Sequence, residues 1–276
     1  MGKHAQLVVG PAGSGKSTFC HLINRHCENV GRTVHVVNLD PAAESFQYPV
    51  SIDIRDLISV TDVMEELGLG PNGALIFCME YLIENIEWLT DQLGDYADDY
   101  LIFDCPGQIE IYTHINVMRS FVQTLERMGY RTCGVFLLDS IFVSDSSKFI
   151  AGMLSCLSTM VQLELPHVNV LSKCDLLKDK KSLDTFLDSD LPVIMSSLNA
   201  TMSGKLLRLN QSIGELIDEY SMVSFVPLDP NDDDSITYIL SSIDHAIQYG
   251  EDLEPVDKTI ADRTEDDTDR LPAIHE

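Results

Sequence analysis

The chain has 276 residues, 45% of them hydrophobic, enough for one large α/β domain with a proper core or for two small ones. A formal net charge of −26, from 44 acidic against 18 basic residues, excludes direct binding to a nucleic-acid backbone, which needs clustered Lys and Arg. Seven cysteines without a C-x-x-C pair argue against zinc and against a disulfide framework, and point to a reduced, intracellular compartment.

One decorated domain over residues 1–250 is the expectation. No apolar run reaches the length of a membrane span, and the N-terminus leads into the first strand without room for a signal peptide, so no membrane association is expected. Gln6-Leu7-Val8-Val9 reads as a buried strand, and Gly10-Pro11-Ala12-Gly13-Ser14-Gly15-Lys16-Ser17 follows it. That octapeptide fits G-x-x-x-x-G-K-[ST], a glycine loop whose backbone N–H groups turn around phosphates. Lys16 would neutralise phosphate, Ser17 would offer a hydroxyl to Mg²⁺, and Gly13, Ser14, Gly15 and Thr18 complete the cradle. Behind it, Phe19, Leu22, Ile23, His26 and Val30 recur at helical spacing, so a helix N-terminus adds its dipole and unpaired N–H groups to the anion site.

Thr33 to Leu39 is a β-branched run ending on Asp40-Pro41. An aspartate at the carboxyl end of a strand beside the phosphate loop can reach Mg²⁺ directly or through water; one capping the next turn fits the same feature equally well. Ala42 to Ser59 has a mixed pattern and reads as a loop. Val60 to Leu67 is a short helix, stopped by Gly68-Leu69-Gly70-Pro71-Asn72-Gly73, where Asn72 can cap the next helix. Beyond that turn, Leu75, Met79, Leu82, Ile86, Leu89 and Leu93 predict a single helix roughly 30 Å long. Its apolar stripe packs on its own sheet or forms a subunit interface.

Tyr100-Leu101-Ile102-Phe103-Asp104 is a buried strand that delivers an aspartate, with Gly107 three residues on. This D-x-x-G pattern after a phosphate loop places Asp104 at the Mg²⁺ or its water and the Gly107 N–H at a γ-phosphate. Gln108 can orient an attacking water, and Glu110 can polarise that water or position the glutamine. A helix over 114–128, a strand over 133–139 and a helix over 145–163 follow. The strand ends on Asp139, which receives no role.

Val168 to Leu171 delivers Ser172-Lys173-Cys174-Asp175. A carboxylate at a strand's carboxyl end can accept from guanine N1–H and its exocyclic amine, whereas adenine presents no such paired donor edge; Asp175 is therefore the base reader and Lys173 the platform. The usual guanine motif is Asn-Lys-x-Asp, so Ser172 must hold with a shorter hydroxyl what the asparagine amide ties down. Helices are expected over 176–220, a last strand over 224–228 and a closing helix over 236–249. Pro227 has no N–H, so Leu228 or Asp229 would donate to guanine O6. From Glu251 onward acidic residues dominate, and 251–276 reads as a disordered tail.

The motifs at Gly10 to Ser17, Asp40-Pro41-Ala42, Asp104 to Glu110 and Ser172 to Asp175, with Gly70-Pro71-Asn72 between the second and third, resemble those of the GPN-loop GTPases. Without an extended carboxyl-terminal domain, the pattern is most similar to the third of the eukaryotic paralogue groups. The resemblance implies a P-loop NTPase fold, with a mainly parallel sheet between helical layers and a helical insertion over about 60–95. It also implies GTP or GDP with Mg²⁺ as cofactors, and a dimer with a paralogous GPN-loop GTPase or with itself, in which Asn72 reaches the facing subunit's phosphates. RNA polymerase II subunits would be clients for assembly and nuclear import, which adds nuclear shuttling to a cytoplasmic location. Two other functions share the first motif: a P-loop small-molecule kinase, and a binding module that nucleotide merely stabilises.

Overall fold

Along β1 (Lys3–Val9), Ala5, Leu7 and Val9 enter one apolar cluster and Val8 another, the two-residue period of a strand covered on both faces. A computed structural model describes residues 2–96, 99–177, 183, 186–187, 191–201, 204, 206–220 and 223–251. The other strands are β2 (Val34–Asn38), β3 (Val50–Asp53), β4 (Tyr100–Asp104), β5 (Tyr130–Asp139), β6 (His167–Ser172) and β7 (Phe225–Pro227). They form a parallel sheet in the order β3-β2-β4-β1-β5-β6-β7.

The α-helices whose bounds fall within the described residues are α1 (Lys16–Asn29), α2 (Val60–Leu67), α3 (Pro71–Glu84), α4 (Ile86–Leu93), α5 (Glu110–Thr113), α6 (Val117–Arg127), α7 (Ser146–Leu163), α8 (Leu191–Thr201), α9 (Leu207–Glu219) and α10 (Asp233–Ala246). Phe19 and Ile23 of α1 join Ile236, Ile239 and Ile243 of α10 on one face of the sheet. Leu75, Met79 and Leu82 of α3, Phe121 of α6 and Phe149 of α7 cover the other. Parallel strands require such crossovers, and burying each large apolar side chain stabilises the layers by about 1.5–3 kcal/mol. This is the expected three-layer P-loop architecture.

Strand order positions the site. Val8 of β1 and Asn38 of β2 both pair with Asp104 of β4, so three carboxyl ends meet although their residues lie far apart in sequence. On the other side of β1, Asp139 of β5 pairs with Ser172 of β6.

Local departures from the sequence expectation have local causes. β3 lies inside the segment expected as a loop; four residues are too few to show a period. The single helix over 75–93 is two, because Asn85 donates its side-chain amide to the Tyr81 carbonyl at 2.9 Å and closes α3 there. Gly70, not Asn72, is the N-cap of α3; Pro71 takes the first helical position and Asn72 the exposed first turn. The helix expected over 114–128 begins at Val117, with the separate turn α5 before it. Val30 lies beyond the buried stripe of α1 and is 62% exposed. The acidic tail expected over 251–276 lies outside the described residues beyond Glu251, as do parts of the helical region expected over 176–220. Among the described residues, no helix is long and apolar enough to cross a membrane.

Candidate nucleotide site

The loop between β1 and α1 needs its glycines. At Gly10, where φ is +140°, a Cβ would stand 2.4 Å from the Leu137 carbonyl oxygen. Gly13 and Gly15 have φ of +76° and +89°, left-handed values that turn successive N–H groups inward. Lys16 is buried, and its Nζ donates to the carbonyls of Gly10 and Pro11, each at 3.1 Å, so the ammonium lies across the loop mouth. Burial lowers the Lys16 pKa, against the pull of Asp104 and Asp40 nearby. Ser14 Oγ is buried with no hydrogen-bond partner among the described residues, while Ser17 and Thr18 are exposed at the start of α1.

Asp104 is 2% exposed. Burial raises its pKa, and the hydrogen bonds from Tyr48 and Ser17 and the charge of Lys16 oppose the rise. The Tyr48 hydroxyl donates to Asp104 Oδ2 at 2.6 Å. Gly107 packs so closely that a Cβ would stand 3.0 Å from Ala12 Cα and 3.4 Å from Lys16 Nζ. The turn is held by Tyr112, fully buried, whose hydroxyl donates to the Pro106 carbonyl. Gln108 is half-buried beside this turn, and Glu110 is exposed as the first residue of α5.

Asp40 does cap a turn: its Oδ1 accepts from the Ala42 N–H at 2.9 Å. Burial raises its carboxyl pKa, opposed by that bond and by Lys16. Asn38 fixes the backbone around it, accepting from the Asp40 N–H at 2.9 Å and donating to the Asp40 carbonyl at 3.0 Å. The same amide donates to Asp53 Oδ1 at 2.9 Å.

At the other end, the Ser172 hydroxyl donates to the Ser14 carbonyl at 2.6 Å and lies 3.2 Å from that of Leu138, so the short side chain does tie the phosphate loop to β6. Lys173, with φ of +59°, lays its chain over the loop, its Cε 3.9 Å from where a Gly15 Cβ would stand. Its Nζ donates to the Gly13 carbonyl and to Asp139 Oδ2 at 2.7 Å. Asp139, without a role on sequence grounds, thus anchors the platform. Asp175 is exposed in the following turn, with Leu176 next to it 70% exposed. The expected donor at Leu228 is corrected: its N–H donates to the Leu171 carbonyl at 2.8 Å, so β7 pairing uses it. The Asp229 N–H donates to Ser235 Oγ at 3.3 Å.

The structure therefore brings Lys16, Ser17, Asp40, Asp104 and Gly107 together and sets Lys173 over the same loop; Asn72 stands exposed on α3. Sequence reasoning missed Tyr48, Asp53 and Arg55, which no motif spacing marks.

A parallel sheet whose strand ends carry a phosphate loop, a buried aspartate and a glycine lying against the loop's lysine defines a P-loop nucleoside triphosphatase. A family described as "Conserved hypothetical ATP binding protein" matches residues 8–249. The relative named GPN-loop GTPase 3 in Dictyostelium discoideum is 57% identical, covering 92% of this chain and 90% of that protein. Proteins of the same name in Saccharomyces cerevisiae and Danio rerio are each 53% identical over 92% of this chain, and over 96% and 91% of their own lengths. In fold, the chain is similar to the apo form of a GTPase from Pyrococcus abyssi, with a TM-score of 0.68 at 20% identity over 88% of this chain and 97% of that one. The chain belongs to the GPN-loop GTPase family.

Proposed function

We propose that this GTP-hydrolysing enzyme is a Mg²⁺-dependent switch, working as a dimer with itself or a paralogue, that assists assembly and nuclear import of RNA polymerase II. The observation that carries the switch is the packing of Gly107 against Ala12 and Lys16: a backbone N–H there is sensitive to the presence of a γ-phosphate. Met64, Leu67 and Leu69 are 37%, 52% and 38% exposed beside the exposed Gly70-Pro71-Asn72, which supports a second subunit on that side. The polymerase role rests on the family resemblance.

The donor set fits magnesium. The Ser17 hydroxyl and the Asp104 carboxylate are hydrogen-bonded beside Lys16, and Asp40 adds a second carboxylate. Mg²⁺ prefers such oxygens, needs one or two from the protein, and takes the rest from phosphate and water. When bound it would neutralise phosphate charge. Lys16 would exchange the Gly10 and Pro11 carbonyls for phosphate oxygens, and Gln108, assisted by Glu110, would orient water. Asp175 would read guanine above Lys173, and the partner subunit would lend an Asn72. Neither Gly70–Gly73 nor the turn at Gln108 brings an arginine, and Arg55 is held by Asp53 and by the Ala43 carbonyl, so intrinsic hydrolysis should be slow.

Native mass measurement of the purified complex, with its nucleotide identified, tests the dimer and the base together. Two GPN-type subunits carrying guanine nucleotide are expected; a monomer, or bound ATP, sinks the corresponding part. Depleting the chain should leave the large polymerase subunits in the cytoplasm, and an unchanged nuclear polymerase removes the import role.

A further inference from the structure

We propose that Tyr48 is a positioning residue for Asp104, coupling the segment 40–55 to the phosphate end of the site; this rests on reading Asp104 as the magnesium-site carboxylate. Tyr48 is 5% exposed, and its hydroxyl makes a short, charge-assisted bond to one Asp104 oxygen at 2.6 Å. A carboxylate that must present an oxygen to a metal or to its water needs a fixed orientation, and the phenol supplies it from outside β4.

The phenol is itself held. Phe46 lies beside the Tyr48 ring at 5.3 Å, and the Arg55 guanidinium sits 4.7 Å from the Phe46 ring centre. Arg55 donates to both oxygens of Asp53 and, at 2.9 Å, to the Ala43 carbonyl. Asp53 in turn accepts from Asn38, which fixes the backbone of Asp40. The two candidate metal carboxylates, at the ends of β2 and β4, are thus joined through one loop, and the link closes on the Tyr48 hydroxyl. Any change at Asp104 is felt by the loop, and loosening the loop frees Asp104 to turn.

Tyr48→Phe in the full chain separates the hydroxyl from the ring's packing. The readouts are release of a fluorescent GDP analogue across a Mg²⁺ titration and in EDTA, and amide exchange of residues 41–53 in nucleotide-free protein. Expected are release in EDTA within about twofold of wild type, a Mg²⁺ midpoint raised about tenfold, as loss of a charge-assisted bond implies, and faster exchange in 41–53. A Mg²⁺ midpoint equal to wild type, or release in EDTA accelerated as much as with Mg²⁺, overturns the proposal. Wild-type release that ignores Mg²⁺ would remove the magnesium reading itself; a normal wild-type response with an unchanged variant removes only the role of Tyr48. Should Tyr48→Phe not fold, Phe46→Leu, which keeps the phenol but loosens its cradle, must raise the same midpoint, and no rise overturns the proposal.

Discussion

Replacing Gly10 by Ala places a methyl carbon 2.4 Å from the Leu137 carbonyl oxygen, 3.2 Å from the Leu137 nitrogen and 3.2 Å from Ser14 Oγ. Leu137 belongs to β5, which is paired with β1 on one side and β6 on the other, so the carbonyl cannot retreat without breaking ladders. Two costs add: about 1–3 kcal/mol for a side chain at φ near +140° and about 1–3 kcal/mol for overpacking against fixed backbone. The stiffer unfolded chain offsets about 0.4–1 kcal/mol, leaving a loss of about 1–6 kcal/mol. Gly13→Ala is the control: φ is +76°, but no described residue has an atom within 4 Å of the added carbon, so only the dihedral cost of about 1–2 kcal/mol applies, less the same offset. Urea unfolding of nucleotide-free protein reads the difference. With a slope of about 2–3 kcal/mol per molar, mid-range costs lower the midpoint by about 1.3 M for Gly10→Ala and by about 0.3 M for Gly13→Ala. Equal shifts for the two variants would refute the steric reasoning.

Ser172→Ala removes the donor to the buried Ser14 carbonyl and should cost about 1–3 kcal/mol; GDP release should quicken about tenfold, and an unchanged rate would show that this tie does not preorganise the phosphate loop. Asn72→Ala, at an exposed helix start, should leave the melting midpoint within about 1 °C while lowering single-turnover GTP hydrolysis at least about tenfold; unaltered hydrolysis excludes a contribution in trans. Asp53 links the loop to pH: burial works against its charge, but the bonds from Arg55 and Asn38 outweigh burial and hold its pKa below 3.8. Because the folded value is the lower one, this stabilisation is fully present above 3.8 and is lost as pH falls through the folded value. The urea-midpoint gap between wild type and Asp53→Asn should therefore close on acidification, and a gap constant with pH counts against it.

Several features were legible from contiguous residues alone. The phosphate loop at Gly10 to Ser17 is encoded by backbone freedom and a helix start, both local properties, and α2 occupies Val60–Leu67, the span its short pattern indicates between Ser59 and Gly68. Ser172 announced by its own shortness that something must be tied differently, and its hydroxyl does reach the Ser14 carbonyl. Other features depended on which strands become neighbours. Asp104 meets both β1 and β2 only through the order β3-β2-β4-β1-β5-β6-β7, and the Leu228 N–H is used because β7 pairs with β6 there. Asp139 finds Lys173, and Tyr48 finds Asp104, across 34 and 56 residues. Nothing in the immediate neighbourhood of Tyr48 marks it, because a phenol's role is set by the group it is buried against. The sequence by itself determined the phosphate loop, the apolar periods and the motifs that name Lys16, Asp40 and Asp104, since these are properties of adjacent residues; only the tertiary structure decided the partners no motif marks, Tyr48 for Asp104 and Asp139 for Lys173, since packing removes their alternative partner, water.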